Sequence, residues 1–476
     1  MKIKFYLFAF AALLINVSVY AQFTVFEKTY GGANSDIGYD LTLTQDGGYA
    51  FVGLTYSTGS GMDDCYLIKT DDQGNLQWQK TYGGTSYEFG LSVIQDSNGN
   101  YVIIGTTSSY GEGSNDYYVI KTNSIGDTIW TKTYGGFLLD SPRRGIATND
   151  SGYAIIGRTQ SFGEGTSSVY FVKIDSAENN QFSKTYGGTG LNWGMSVKQT
   201  SDGGYILAGK TSSFSAQSQD VYLIKTNSSG DTLWTKYFGS ANDDWANDVV
   251  QTPDNGYIIT GTYNYSGIAG DIFITKCDEN GNILWTKTYS TVGDEFMNSL
   301  INSNDGGILM TGATNYLSMG DYDLYLMKAD ASGDTLWTRA YGGSGVDAGF
   351  GIQQTTDGGI ISIGQTNSMG AGNNDFYVIK TNNTGTLDNV DELYENSEVA
   401  AFPNPFSDRV KFIVGDENYS GDYSLVLYDA TGKVILSKTG KKEELIIEKS
   451  GMPDGIYFYL IKNEHGIVGT GKLITE

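Results

Sequence analysis

An all-β fold is predicted by three observations. The phrase Lys-Thr-Tyr-Gly-Gly, or a close variant, returns about every 52 residues. The apolar runs between its copies are short, rich in β-branched and aromatic residues, and lack helical periodicity. The last copy lacks its final strand, while an unpaired strand of the same pattern stands near the N-terminus. Together these predict a seven-bladed β-propeller closed by an N-terminal strand, followed by a small C-terminal β-sandwich.

The elements follow in order. Lys2 and Lys4 precede the apolar run Phe5 to Ile15, and small residues lead to Ala21. Residues 1–21 read as a secretory signal peptide, too short to span a membrane comfortably, and no later segment resembles a transmembrane anchor. The repeated aromatic falls at Tyr30, Tyr82, Tyr134, Tyr186, Phe238, Tyr289 and Tyr341. Within the second copy, four strand candidates are separated by Gly-, Asn- and Ser-rich turns: 90–95, 101–106, 117–121 and 128–133. Four antiparallel strands repeated radially make propeller blades, which protect edges that an isolated sheet would expose. The fourth strand carries Trp78, Trp130, Phe182, Trp234, Trp285 or Trp337, rings suited to packing between blades. The seventh copy has no such strand, and Thr24 to Tyr30 supplies it with Phe26 in the Trp position. An open solenoid would leave that strand without a partner.

Composition narrows the function classes. The formal net charge is −24, so an exported chain of this kind repels nucleic acid and anionic membrane. Cys65 and Cys277 sit beside apolar strand residues and read as two buried thiols. His465 is the one histidine, so no Ser-His-acid or Cys-His constellation exists in the propeller. The propeller is expected to span 22–390, with an acidic linker at 391–400.

Candidate site residues fall into three groups. Carboxylates recur near the start of the first and third strands. Asp36 with Asp64, and Asp244 with Asp271, are the candidate Ca²⁺ pairs, although no D-x-D-x-D loop is present. The tenth residue after the repeated Tyr reads Asp40, Ser92, Arg144, Ser196, Asp248, Ser299 and Gly351. Facing the channel, Arg144 would meet either a ligand carboxylate or its neutralising partners Asp40 and Asp248. Tyr110, Phe162, Phe214 and Tyr265 stand in Ser- and Gly-rich loops, where they would stack on sugar rings or a protein partner, or pack on their own blades. The expected function is noncatalytic binding of a glycan or protein, with no cofactor apart from Ca²⁺. The alternatives are a polysaccharide-active hydrolase or lyase using carboxylates such as Asp40 and Asp248, and a structural surface protein.

After Lys380 the repeat dies out. Ala401-Phe402-Pro403-Asn404-Pro405-Phe406 opens a new module, followed by Leu427-Tyr428-Asp429-Ala430-Thr431-Gly432-Lys433, Gly455-Ile456-Tyr457-Phe458 and Gly471-Lys472-Leu473. Strands alternating with polar turns predict a small sandwich over 401–476. These residues closely resemble the type A C-terminal sorting domain of the Bacteroidetes type IX secretion system, over roughly 400 to 476. The resemblance implies passage across the outer membrane by that machinery, removal of the domain, and release or attachment at the cell surface. The propeller units resemble bacterial β-propeller repeats of exported proteins, a broad family that implies little about activity.

Overall fold

The structure, a computed structural model, describes residues 23–387, apart from 215–217, 267–269, 290–292, 317 and 319, and most of 399–475. The signal segment, linker positions 391–398 and His465 lie outside the described residues. The chain divides into two compact units, 1–390 and 391–476.

Strand β1 spans Phe26–Tyr30, β2 Asp36–Leu43, β3 Tyr49–Thr55, β4 Asp64–Thr70 and β5 Leu76–Tyr82. Strands β2 to β5 form the first antiparallel blade, and five further four-stranded sheets repeat it. The seventh sheet joins Asp347–Gln354, Ile360–Thr366 and Asp375–Thr381, with β1 as its outer strand. Phe26 pairs with Lys380 as Trp78 pairs with Lys69 and Trp130 with Lys121, so it occupies the expected Trp position.

The repeated aromatics act between blades. The Phe26 ring lies beneath Gly74 of the next blade, as Trp78 lies beneath Gly126. Both glycines have positive φ and leave no room for a Cβ. The Tyr30 hydroxyl donates to the Gly74 carbonyl at 2.6 Å, and Tyr82 to Gly126 at 2.7 Å. Tyr186, Tyr289 and Tyr341 fasten their blades to the next in the same way, through Gly230, Gly333 and Gly385. Both cysteines are buried and free.

A second repeated contact ties each third strand to a hairpin turn. Lys69 pairs with Asp46, Lys173 with Asp150, Lys225 with Asp202, Lys276 with Asp254 and Lys380 with Asp357. Asp254, bonded by Lys276 and Thr252, is held at about 2. Asp202 is exposed, and Lys225 and Thr200 outweigh its slight desolvation and hold it at about 2 as well. A carboxylate with a depressed folded-state pKa adds stability above its unfolded value, about 4, and loses it as pH falls toward the folded value. The melting temperature is expected to drop between pH 4 and pH 2. Lys225→Met, which keeps the buried stem, should flatten that drop. A melting curve indifferent to pH in this window would count against the pairs.

Every inner strand carries one extra residue. The ladder slips between Gly38 and Asp40, Gly90 and Ser92, Pro142 and Arg144, and Gly194 and Ser196. It slips likewise between Ala246 and Asp248, Met297 and Ser299, and Gly349 and Gly351. A bulge of this kind re-aims the side chains beyond it.

In the second unit, Val399–Phe402, Arg409–Val414 and Ile446–Glu448 form one sheet. Tyr423–Asp429, Val434–Gly440, Gly455–Asn463 and Gly466–Thr475 form the other. Phe406, Phe412, Leu425, Leu427, Tyr459 and Leu473 share one buried core, as a sandwich requires. Val399 and Ala400 belong to its first strand, inside the stretch expected as linker.

Candidate functional site

The repeated bulge decides what the axis presents. Strict alternation puts the tenth residue after each repeated Tyr toward the channel. The extra residue brings in the ninth. Tyr39, Leu91, Arg143, Met195, Asn247, Asn298 and Phe350, one per blade, line the channel opening together with Arg144.

The tenth-position residues form a charge cluster. The Arg144 guanidinium lies 3.8 Å from the Asp248 carboxylate, and the Lys198 ammonium 3.9 Å from it. Asp248 is fully buried and accepts hydrogen bonds from Ser196 Oγ at 2.5 Å, Ser299 Oγ at 3.0 Å and the Leu300 N–H at 3.0 Å. Burial alone would raise Asp248, but Lys198 and Arg144 together hold it below the usual carboxylate range. Asp40 accepts from the Val93 N–H of the next blade at 3.1 Å. Burial pushes Asp40 up against the pull of Arg144. The two acids and two bases balance, and neither carboxylate lines the opening.

Beside the opening lies a cleft of about 440 Å³, lined by Arg143, Met195, Lys210, Trp245, Phe296, Tyr322 and Phe350 among others. Lys210, Trp245, Thr262, Phe296 and Ala313 of its wall belong to a row of pairs, each made by the seventh residue after the repeated aromatic and its cross-strand partner, that runs on past the cleft. These pairs are Ser141 with Arg158, Trp193 with Lys210, Trp245 with Thr262 and Phe296 with Ala313. Around blades three to five they alternate cation and ring. The Arg158 guanidinium sits 4.3 Å from the Trp193 ring centroid. The Lys210 ammonium lies 5.2 Å from both Trp193 and Trp245. Such contacts hold a cation over the negative ring face without neutralising it. Burial lowers the Lys210 and Arg143 values, and Arg143 is lowered further by its neighbour Arg144. Among the described residues, no carboxylate forms an ion pair with Arg143 or Lys210. Blades one, two and seven place Leu54, Thr106 and Gln365 where blades three and four have Arg158 and Lys210. The polar sector is therefore one-sided.

The loop aromatics are not brought together. Tyr110, Phe162 and Phe214 are half-exposed, and each lies 5.6 Å from the third-strand tyrosine of its own blade: Tyr118, Tyr170 and Tyr222. Tyr265 alone reaches the cleft wall, packing edge-on against Trp245 at 5.3 Å. The expected metal pairs are likewise separated. Thr55 stands between Asp36 and Asp64 in the sheet, each pairing with it from opposite sides. Asp271 pairs with Tyr263 of the intervening strand, which also separates it from the strand of Asp244. Among the described residues, no three acidic, His or Cys side chains gather to hold a metal. Sequence reasoning missed Arg143, Lys210, Trp245 and Phe296. The available signal was the irregular seventh column: Ile37, Phe89, Ser141, Trp193, Trp245, Phe296 and Ala348.

Residues 400–476 match the family described as secretion system C-terminal sorting domain. The chain is 21% identical over 532 residues to an uncharacterized WD repeat-containing protein of Acanthamoeba polyphaga mimivirus, covering 84% of this chain and 36% of that protein. It is 24% identical over 437 residues to the regulatory protein FlaEY of Caulobacter vibrioides, covering 76% of this chain and 41% of that protein. It thus spans well under half the length of either relative. The Pan2 WD40 domain of Neurospora crassa aligns with a TM-score of 0.45 at 10% identity, covering 75% of this chain and 90% of that one. The C-terminal unit is a type IX secretion sorting domain, and the chain is a β-propeller cargo of that system, exported to the outer cell surface.

Proposed function

We propose that the exported propeller binds an acidic glycan, without catalysis, in the cleft beside its channel opening. The carrying observation is the alternation of rings and cations along one sector, Arg158–Trp193–Lys210–Trp245, whose Lys210 and Trp245 line the cleft, within a chain of net charge −24. Sugar faces would stack on Trp245 and Phe296, while Arg143 and Lys210 take the carboxylates. Among the described residues, the cleft lining contains no carboxylate and no histidine to move a proton. Asp40 and Asp248, the acids an enzyme reading would use, are engaged beside Arg144 instead.

Titration of the purified chain with a polyuronate and with a neutral glucan is the test. Polyuronate binding that weakens with salt is expected, with little affinity for the glucan. Trp245→Ala and Arg143→Gln should each weaken binding about tenfold, about 1.4 kcal/mol, while Tyr110→Ala leaves it unchanged. Equal affinity for both polymers, or release of shortened chains, would overturn the reading.

A further inference from the structure

The glycine after the repeated aromatic lies between two acids from neighbouring blades. A Cβ built on Gly135 would fall 1.7 Å from Asp116 Oδ1 and 2.8 Å from Asp140 Oδ2. On Gly31 it would fall 1.9 Å from Asp375 Oδ1 and 2.8 Å from Asp36 Oδ2. Gly83 lies likewise between Asp64 and Glu88, Gly239 between Asp220 and Asp244, and Gly342 between Asp323 and Asp347. The acids that sequence reading pairs within a blade meet across the blade boundary instead. At these five junctions a Cβ would displace a carboxylate oxygen.

At the Gly31 and Gly135 junctions one oxygen of each acid is satisfied and the other is not. Asp140 Oδ2 accepts from the Gly136 N–H at 2.7 Å and Ser161 Oγ at 2.6 Å. Asp36 Oδ2 accepts from the Gly32 N–H and Ser57 Oγ, both at 2.7 Å. Asp116 Oδ2 and Asp375 Oδ2 accept backbone N–H groups at 2.7 Å, from Glu112 and Ala371. The Oδ1 atoms of all four are buried without a donor, in residues at most 2% exposed. An ionised oxygen left so beside a second acid is strongly unfavourable unless something positive joins them.

The junction between blades three and four shows what fits there. It carries Ser168 where most blades have Asp, and Asn192 where the others have Asp, Glu or, again, Asp. Both acids are replaced at the same junction. The Asn192 Nδ2 group donates to the carbonyl oxygens of Ser167, Gly188 and Gly190 at 3.1, 3.2 and 3.2 Å. Its Oδ1 accepts from the Thr211 and Ser213 hydroxyls, as the satisfied Asp oxygens accept from their own serines. A donor group therefore stands at the repeat position of the orphaned Oδ1, among inward-turned backbone carbonyls. In the acid junctions the repeat places carboxylate oxygen there, so the site is built from oxygen alone. That is the ligand set of a hard divalent cation.

We propose that the acid junctions, Asp375 with Asp36 and Asp116 with Asp140 foremost, hold divalent cations of the Ca²⁺ class through both carboxylates and neighbouring backbone carbonyls. The Ser168–Asn192 junction is the metal-free version of the same clasp. The proposal is independent of the cleft. Its test is calorimetric titration of the whole, chelator-stripped chain with Ca²⁺, alongside melting curves. More than one ion per chain is expected to bind, with a rise in melting temperature of about 5 °C or more in millimolar Ca²⁺. The double substitution Asp116→Ser and Asp140→Asn transplants the neutral junction. It should lower the ion count by one and leave the β-sheet circular dichroism unchanged. Should it misfold, Asp140→Asn alone must still lower the count. No binding heat with an unmoved melting temperature would overturn the proposal. So would an unchanged count in the variants, or stabilisation by acidification from pH 7 to 5 in place of Ca²⁺, the mark of a proton shared between the acids.

Discussion

Deleting Phe23–Tyr30 will destabilise the propeller by about 5–10 kcal/mol, comparable with the whole stability of an ordinary domain. Five paired residues leave the outer edge of blade seven, from Phe26 against Lys380 to Tyr30 against Phe376. Each backbone hydrogen bond contributes about 1 kcal/mol net. Phe23 is 4% exposed, and Phe26 and Tyr30 pack into the cluster of Tyr49, Phe51 and Phe376 that joins blades seven and one. Burial of such rings adds about 1.5–3 kcal/mol apiece. The Tyr30 fastening to Gly74 goes as well. Urea unfolding will show the loss, and hydrogen exchange will localise it. Protection of Asp375–Thr381 should vanish first, because that strand becomes an open edge. An unmoved urea midpoint would mean that the ring does not depend on this closure.

Gly261→Ala will place a methyl group against backbone that cannot give way. Gly261 pairs with Ala246 at the bulge of blade five, and its Cβ would lie 2.0 Å from the Trp245 carbonyl oxygen. The obstacle is backbone in a central strand pair, so neither partner can rotate away. A loss of about 3 kcal/mol or more is expected. Relief by straightening the bulge would re-aim Trp245 and Asn247, and binding in the cleft should fall with stability. Gly306→Ala is the control. Gly306 has φ +87 and nothing within 4 Å of its Cβ, so only backbone strain of about 1 kcal/mol opposes the change. Equal melting temperatures for the two variants would refute the packing argument.

The repeat count, four strands per blade, the closing role of Phe26 and the sorting domain were all legible in the residues alone. Each rests on contiguous pattern: a strand's alternation, a turn's glycine, a motif read in order. The central ion pair was half legible. Arg144 does face Asp248, but within a balanced cluster, and Arg143 joins it at the opening. Side chains alternate with period two, so one inserted residue changes which of two neighbours meets the axis. No local pattern announces that insertion. The glycine opposite it, Gly53 in blade one and Gly105 in blade two, is the trace it leaves.

What the sequence determined by itself is what contiguous pattern carries: strands, turns, the repeat and the strand it leaves over for closure. The tertiary structure decided what lies between blades. Asp36 meets Asp375 rather than Asp64, and Lys210 stands between two tryptophans of different blades. The two tryptophans are 52 positions apart, and Asp36 and Asp375 stand near opposite ends of the propeller sequence. Ring closure alone makes them neighbours, because curvature of the repeated sheets sets each blade's inner rim against the next.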